Sequence, residues 1–127
     1  VASNSADGVI CMAVLENVKN PFRVVEEIYR ILRPQGKCFF SLPFLHPHYG
    51  TDYWRFSEDG IRELFKEFRE IEICPAKGHL ETMAKLLPRQ NKFPMKAFVY
   101  LARFLDTATR KWQSGKQVIG FHVFLIK

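Results

Sequence analysis

The sequence predicts an α/β fold, and three observations carry that prediction. Short apolar runs of strand length alternate with stretches of helical periodicity. The first crossover from strand to strand passes through a single helix, the mark of a right-handed βαβ unit. The first apolar run is uninterrupted, as in a parallel-sheet strand buried on both faces.

That run is Val9-Ile10-Cys11-Met12-Ala13-Val14-Leu15, introduced by Asp7-Gly8. Asn20-Pro21 then reads as a helix start, with Asn at the N-cap and Pro in the first turn. Phe22, Val25, Ile28 and Leu32 follow at helical spacing and give the helix one apolar face, with Arg23, Glu26, Glu27 and Arg30 turned away from it. Pro34 and Gly36 are expected to stop it. A second strand, Cys38-Phe39-Phe40-Ser41-Leu42, ends at Pro43, and the mixed stretch Phe44 to Phe56 reads as a loop. Ser57 can cap the next helix, with Glu58 and Asp59 at its positive end. Ile61, Leu64, Phe65 and Phe68 form its buried stripe. Ile71-Glu72-Ile73-Cys74 makes a third strand. Two helical stretches, about 79–87 and 94–112, precede a fourth strand from Val118 to Ile126.

Composition narrows the class. With 127 residues, 47% of them hydrophobic and 12 of them Phe, the chain is one domain or part of one, with enough apolar material for a core. It opens on Val1 without the pattern of a secretory signal, which suggests processing or a fragment. No apolar run reaches the ~18 residues of a spanning helix. Cys11, Cys38 and Cys74 are odd in number and lack paired spacing, which points to buried thiols in a reducing, cytoplasmic compartment rather than to disulfides or a metal. The net charge of +6 is concentrated: from Lys85 to Lys116 there are eight basic residues and one acid, Asp106.

In open α/β sheets, ligands bind beyond the carboxyl ends of the strands. Here those ends are Leu15-Glu16-Asn17 and Pro43-Phe44-Leu45-His46. No glycine-rich turn of the G-x-G-x-x-G or P-loop type follows any strand.

These residues resemble a family. Asp7-Gly8-Val9-Ile10, Leu15-Glu16-Asn17-Val18 and Asn20-Pro21 are similar to the fourth strand and following turn of class I S-adenosylmethionine-dependent methyltransferases of the type 11 kind. Glu27 to Lys37 resembles their helix and its R-x-L-K-P-G-G hinge. Asp52-Tyr53-Trp54-Arg55-Phe56-Ser57 resembles the D-Y-W-R-F-T loop of one subgroup. The stretch from Gly120 to Lys127 is similar to the last strand, which often finishes in lysine. Asn17 departs from the family's usual His, and Gln35 from its usual Gly.

The resemblance implies a partial Rossmann-like sheet, strands four to seven of seven with the last antiparallel, spanning 1–127, with a basic helical insertion at about 79–115. It implies S-adenosylmethionine as cofactor in the intact parent domain, and weak or absent cofactor affinity and activity for these residues alone. Leu15, Glu16 and Asn17 would pass beside the cofactor. His46, Tyr53, Trp54 and Arg55 would face a small-molecule or lipid-like acceptor, with His48 and Asp52 as catalytic candidates. Methyl transfer from a sulfonium chiefly needs alignment and a dry cavity, and a base only where the acceptor must lose a proton.

Other readings stay open at this stage. Glu16 and Asn17 can be plain turn residues, the histidines plain loop residues, and Asp52 to Arg55 a structural lock. The basic amphipathic stretch 94–112 can cap the pocket. It can also dock on a membrane surface or partner, in which case the chain is a non-catalytic binding module. A nucleic-acid groove ranks behind both.

Overall fold

The computed structural model describes residues 1–46, 50–76, 79–86, 93–108 and 118–127. Four strands form one sheet: β1 (Ala6–Met12), β2 (Leu32–Pro43), β3 (Glu70–Pro75) and β4 (Gly120–Ile126), in the order β1-β2-β4-β3. β1 and β2 run parallel, while β4 lies antiparallel between β2 and β3. The helices are α1 (Pro21–Ile31), α2 (Glu58–Leu64), α3 (His79–Leu86) and α4 (Phe93–Ala108).

The expected caps form. Asn20 accepts from the Arg23 amide and Ser57 from the Gly60 amide, each satisfying a donor the first helical turn leaves free. α1 ends at Ile31, earlier than Pro34 and Gly36 suggest. A residue before proline is pushed out of helical geometry, so Arg33 must be extended and the chain turns to strand at Leu32. Gln35 adopts a positive φ of 67°, the left-handed geometry that glycine takes most easily. At Gly36 a side chain would meet the Arg33 carbonyl at 2.8 Å, so the hinge needs glycine there.

One face of the sheet carries the core. Cys38, Phe40 and Leu42 of β2 and Phe121, Val123 and Leu125 of β4 pack under Val25 and Ile28 of α1 and under Ile61, Leu64 and Phe65 from α2 onward. The Phe40 and Phe65 rings meet at a tilt, their centroids 4.7 Å apart, and both are fully buried, worth about 1.5–3 kcal/mol each. Gly120 lets β4 approach β2, since a side chain there would lie 2.4 Å from the Leu42 carbonyl.

Two expectations need correction. β1 is not buried on both faces. It is an edge strand whose Cys11 points into the core while Ile10 is 76% and Met12 59% exposed. Its apolar run therefore behaves as a half-buried strand of period two. Phe22, placed on the buried stripe of α1, is half exposed, and Pro21 takes its place in the core.

Two further contacts tie the ends of the fold. The Lys127 ammonium donates to the carbonyls of Tyr29 (2.7 Å) and Leu32 (2.6 Å) and to Asn4 (2.9 Å), and sits 4.6 Å over the Tyr29 ring. It thus caps the negative end of α1. In the hairpin, the Asp106 carboxylate of α4 accepts from the amides of Leu80 (3.0 Å) and Glu81 (2.7 Å), capping the start of α3.

Candidate functional site

The parallel pair β1 and β2 brings together the two strand ends singled out in the sequence. β1 stops at Met12. Ala13 then takes a φ of 52° while its amide still donates to Ser41 of β2 at 3.2 Å. This bend drops the chain into a single 3-10 turn, Leu15–Asn17, closed by the Asn17 amide on the Val14 carbonyl at 2.9 Å. The Leu15 side chain is wholly inside the core, so what it offers a ligand is backbone. Asn17 donates through Nδ2 to the Ala13 carbonyl at 3.0 Å, which locks the turn.

β2 ends at Pro43, and the chain returns over the same tip. The Phe56 amide donates to the Pro43 carbonyl at 3.2 Å and the Tyr53 amide to the Glu16 carbonyl at 2.7 Å. Trp54 Nε1 donates to the Val18 carbonyl at 3.0 Å. Asp52 and Arg55 form an ion pair in which the Asp52 side chain is buried, and Arg55 also donates to the His46 carbonyl at 3.2 Å. The loop is therefore pinned to the end of β1 by backbone and side chain together. Tyr53 and Trp54 keep part of their rings exposed. Of the sequence candidates, Leu15, Glu16, Asn17, His46, Asp52, Tyr53, Trp54 and Arg55 share this one tip. His48 lies outside the described residues.

Glu16 is the anomaly of the site. It is only 7% exposed, and among the described residues its Oε2 has no hydrogen-bond partner. Burial pushes its carboxyl above the usual range. Its own backbone amide opposes this, Asp52 adds to it, and Arg55 and His46 pull the other way. An orphaned buried acceptor costs about 1–3 kcal/mol. Ligand sites are where such a cost is retained.

The sequence did not reveal the parts that build this geometry: the bend at Ala13 and the carbonyls of Val18 and Ala13 that hold Trp54 and Asn17. A non-glycine residue at positive φ leaves no compositional signal.

The comparisons with known proteins point to one class. Residues 1–40 match the family model described as a methyltransferase domain. Human thiol S-methyltransferase TMT1B is 41% identical over 85 residues, covering 58% of this chain and 35% of that protein. A S-adenosylmethionine-dependent methyltransferase of Archaeoglobus fulgidus superposes with a TM-score of 0.62 at 13% identity, covering 100% of this chain and 62% of the other. Phosphoethanolamine N-methyltransferase 2 of Haemonchus contortus, in complex with S-adenosylhomocysteine, gives 0.57 at 15% identity, covering 98% and 34%. The chain has the Rossmann-like fold of the class I S-adenosylmethionine-dependent methyltransferases, as its motifs led us to expect. It spans about a third of the length of the curated relative it matches over the longest stretch.

Proposed function

We propose that this chain supplies one wall of a methyltransferase active site that moves a methyl group from S-adenosylmethionine to a small-molecule acceptor, with a thiol as the favoured acceptor class. The observation that carries the reading is Glu16. An unpartnered, buried carboxyl oxygen at the tip of a parallel strand suits a ligand rich in donors. S-adenosylmethionine carries an ammonium group and two ribose hydroxyls. When bound, it supplies an electrophilic methyl on a positive sulfur. The thiol preference follows the name of TMT1B.

In this reading Glu16 and the turn Leu15–Asn17 receive the cofactor, and Asn17 keeps the turn in shape. Tyr53 and Trp54 shield the reacting atoms from water and, with His46, line the acceptor side. Arg55, tied to Asp52, orients the acceptor, and Asp52 acts chiefly by holding Arg55. The acceptor sulfur forms a bond to the methyl carbon as the carbon–sulfonium bond breaks. The thiol proton leaves to a base, for which His48 is the candidate. Alignment supplies most of the rate. Residues 1–127 act as one unit with an insertion at about 79–115, completed by the part of the fold that the relatives carry beyond this region. The free thiols suit a reducing, cytoplasmic setting.

The test is transfer of a labelled methyl from S-adenosylmethionine to a panel of small thiols by the natural full-length protein. We expect labelled thioether, with Arg55→Ala raising the acceptor KM. Absence of label on every thiol, with label on an amine or hydroxyl acceptor, would overturn the thiol assignment. Absence of all transfer would overturn methyl transfer itself.

A further inference from the structure

The surroundings of Glu16 make it selective for one kind of donor. The loop after β2 holds it in place, with the Tyr53 amide on the Glu16 carbonyl at 2.7 Å. Among the described residues, Cys11 of β1, His46 after β2, and Asp52 and Arg55 of the loop act on its carboxyl. Asp52 and Arg55 form an ion pair, so their two charges largely offset each other there. The backbone amide of Glu16 serves the carboxyl, yet Oε2 has no partner among the described residues. Burial favours the neutral acid, and the carboxyl titrates above its ordinary 4.5.

Hydroxyl and ammonium donors meet such a group differently. A hydroxyl is satisfied by the neutral acid as well as by the carboxylate, so its binding can leave the proton in place. An ammonium pairs with the carboxylate, because a close opposite charge favours the ionised form. A side-chain amide would serve hydroxyls without burying an ionisable group. A carboxyl retained there at a cost in stability points to a cation.

We infer that Glu16 is the subsite for the α-ammonium of S-adenosylmethionine rather than for its ribose hydroxyls, and that cofactor binding releases the Glu16 proton to solvent. This rests on the reading of the strand tip as a cofactor site. The sign follows from linkage. Below the free-state pKa the site gives up its proton to bind, so affinity falls as pH falls, by up to about tenfold per unit, and levels off above it.

Calorimetry of the natural full-length protein with S-adenosylhomocysteine, which keeps the ammonium, tests this in paired buffers of different ionisation enthalpy. Proton release should be small at about pH 8 and grow toward about pH 5. 5′-Methylthioadenosine keeps the ribose hydroxyls and lacks the ammonium, so it should bind without releasing a proton. Glu16→Gln, which fits the same space, should abolish the release and weaken S-adenosylhomocysteine at least about tenfold at neutral pH, with 5′-methylthioadenosine unaffected. Three results would overturn the inference and leave the cofactor site standing: saturable binding of S-adenosylhomocysteine without proton release, release that persists in Glu16→Gln, or both ligands weakened equally by that variant. No binding of S-adenosylhomocysteine to the wild-type protein at any pH would overturn the cofactor reading, and the inference with it.

Discussion

Replacing Glu16 by Gln separates the cost of a ligand site from the stability of the fold. Gln keeps the shape of the carboxyl and removes its charge. In the wild-type chain the buried Oε2 has no partner among the described residues, and burial raises the carboxyl above its ordinary 4.5. A buried unsatisfied acceptor costs about 1–3 kcal/mol, and the Gln amide keeps part of that cost, so the gain expected at neutral pH is about 1 kcal/mol. For a domain of this size that is about 4 °C in Tm. The sign follows from linkage. A raised pKa means the folded state holds the proton more tightly than the unfolded chain. Glu16 thus contributes its full share of stability below 4.5 and loses it as pH rises through the folded value. The Gln variant should therefore match wild type under acid conditions and surpass it progressively toward neutrality. Asp52, Arg55 and His46 face the same carboxyl. The ion pair between Asp52 and Arg55 leaves burial as the dominant influence. Urea unfolding of both proteins from about pH 4 to about pH 8 measures the difference. A Gln variant less stable at neutral pH, or a difference of equal size across the range, would refute the reasoning.

Three other outcomes follow from named contacts. Lys127→Met removes an ammonium that satisfies two carbonyls at the end of α1 and should lower stability by about 2 kcal/mol in urea unfolding. Gly120→Ala places a methyl 2.4 Å from the Leu42 carbonyl, which should cost about 2–3 kcal/mol by separating β4 from β2, seen as a lower unfolding midpoint. The Cys38 thiol, pushed up to about 12 chiefly by burial, should resist a thiol reagent at about pH 8 in the folded chain, its labelling rate following unfolding instead.

The sheet and its two packed helices were legible because their residues follow simple periods. Val25, Ile28, Ile61 and Leu64 recur at helical spacing, and Asn20 and Ser57 sit where first-turn amides need acceptors. The D-Y-W-R-F loop and the hinge were legible as motifs, and the neighbouring ends of β1 and β2 followed from strand order. What the sequence hid depends on neighbours distant in the chain. An unbroken apolar run does not distinguish a strand covered on both faces from one covered on a single face, so the exposure of Ile10 and Met12 came only with the structure. A glutamate in a turn reads as solvated. Glu16 is buried because the loop carrying Tyr53 folds over it from 37 residues away, as the amide bond to its carbonyl records. Asp106 stood out as a lone acid among bases, yet its role as a cap for α3 needed the hairpin to bring them together.

Calorimetric titration of the natural full-length protein with S-adenosylhomocysteine tests the account most directly. We expect saturable one-to-one binding, weakened at least about tenfold, or ~1.4 kcal/mol, by Glu16→Ala. No heat of binding in the wild-type protein, or equal affinity in the variant, would contradict the assignment of the cofactor to the tip where the ends of β1 and β2 meet the loop through Arg55.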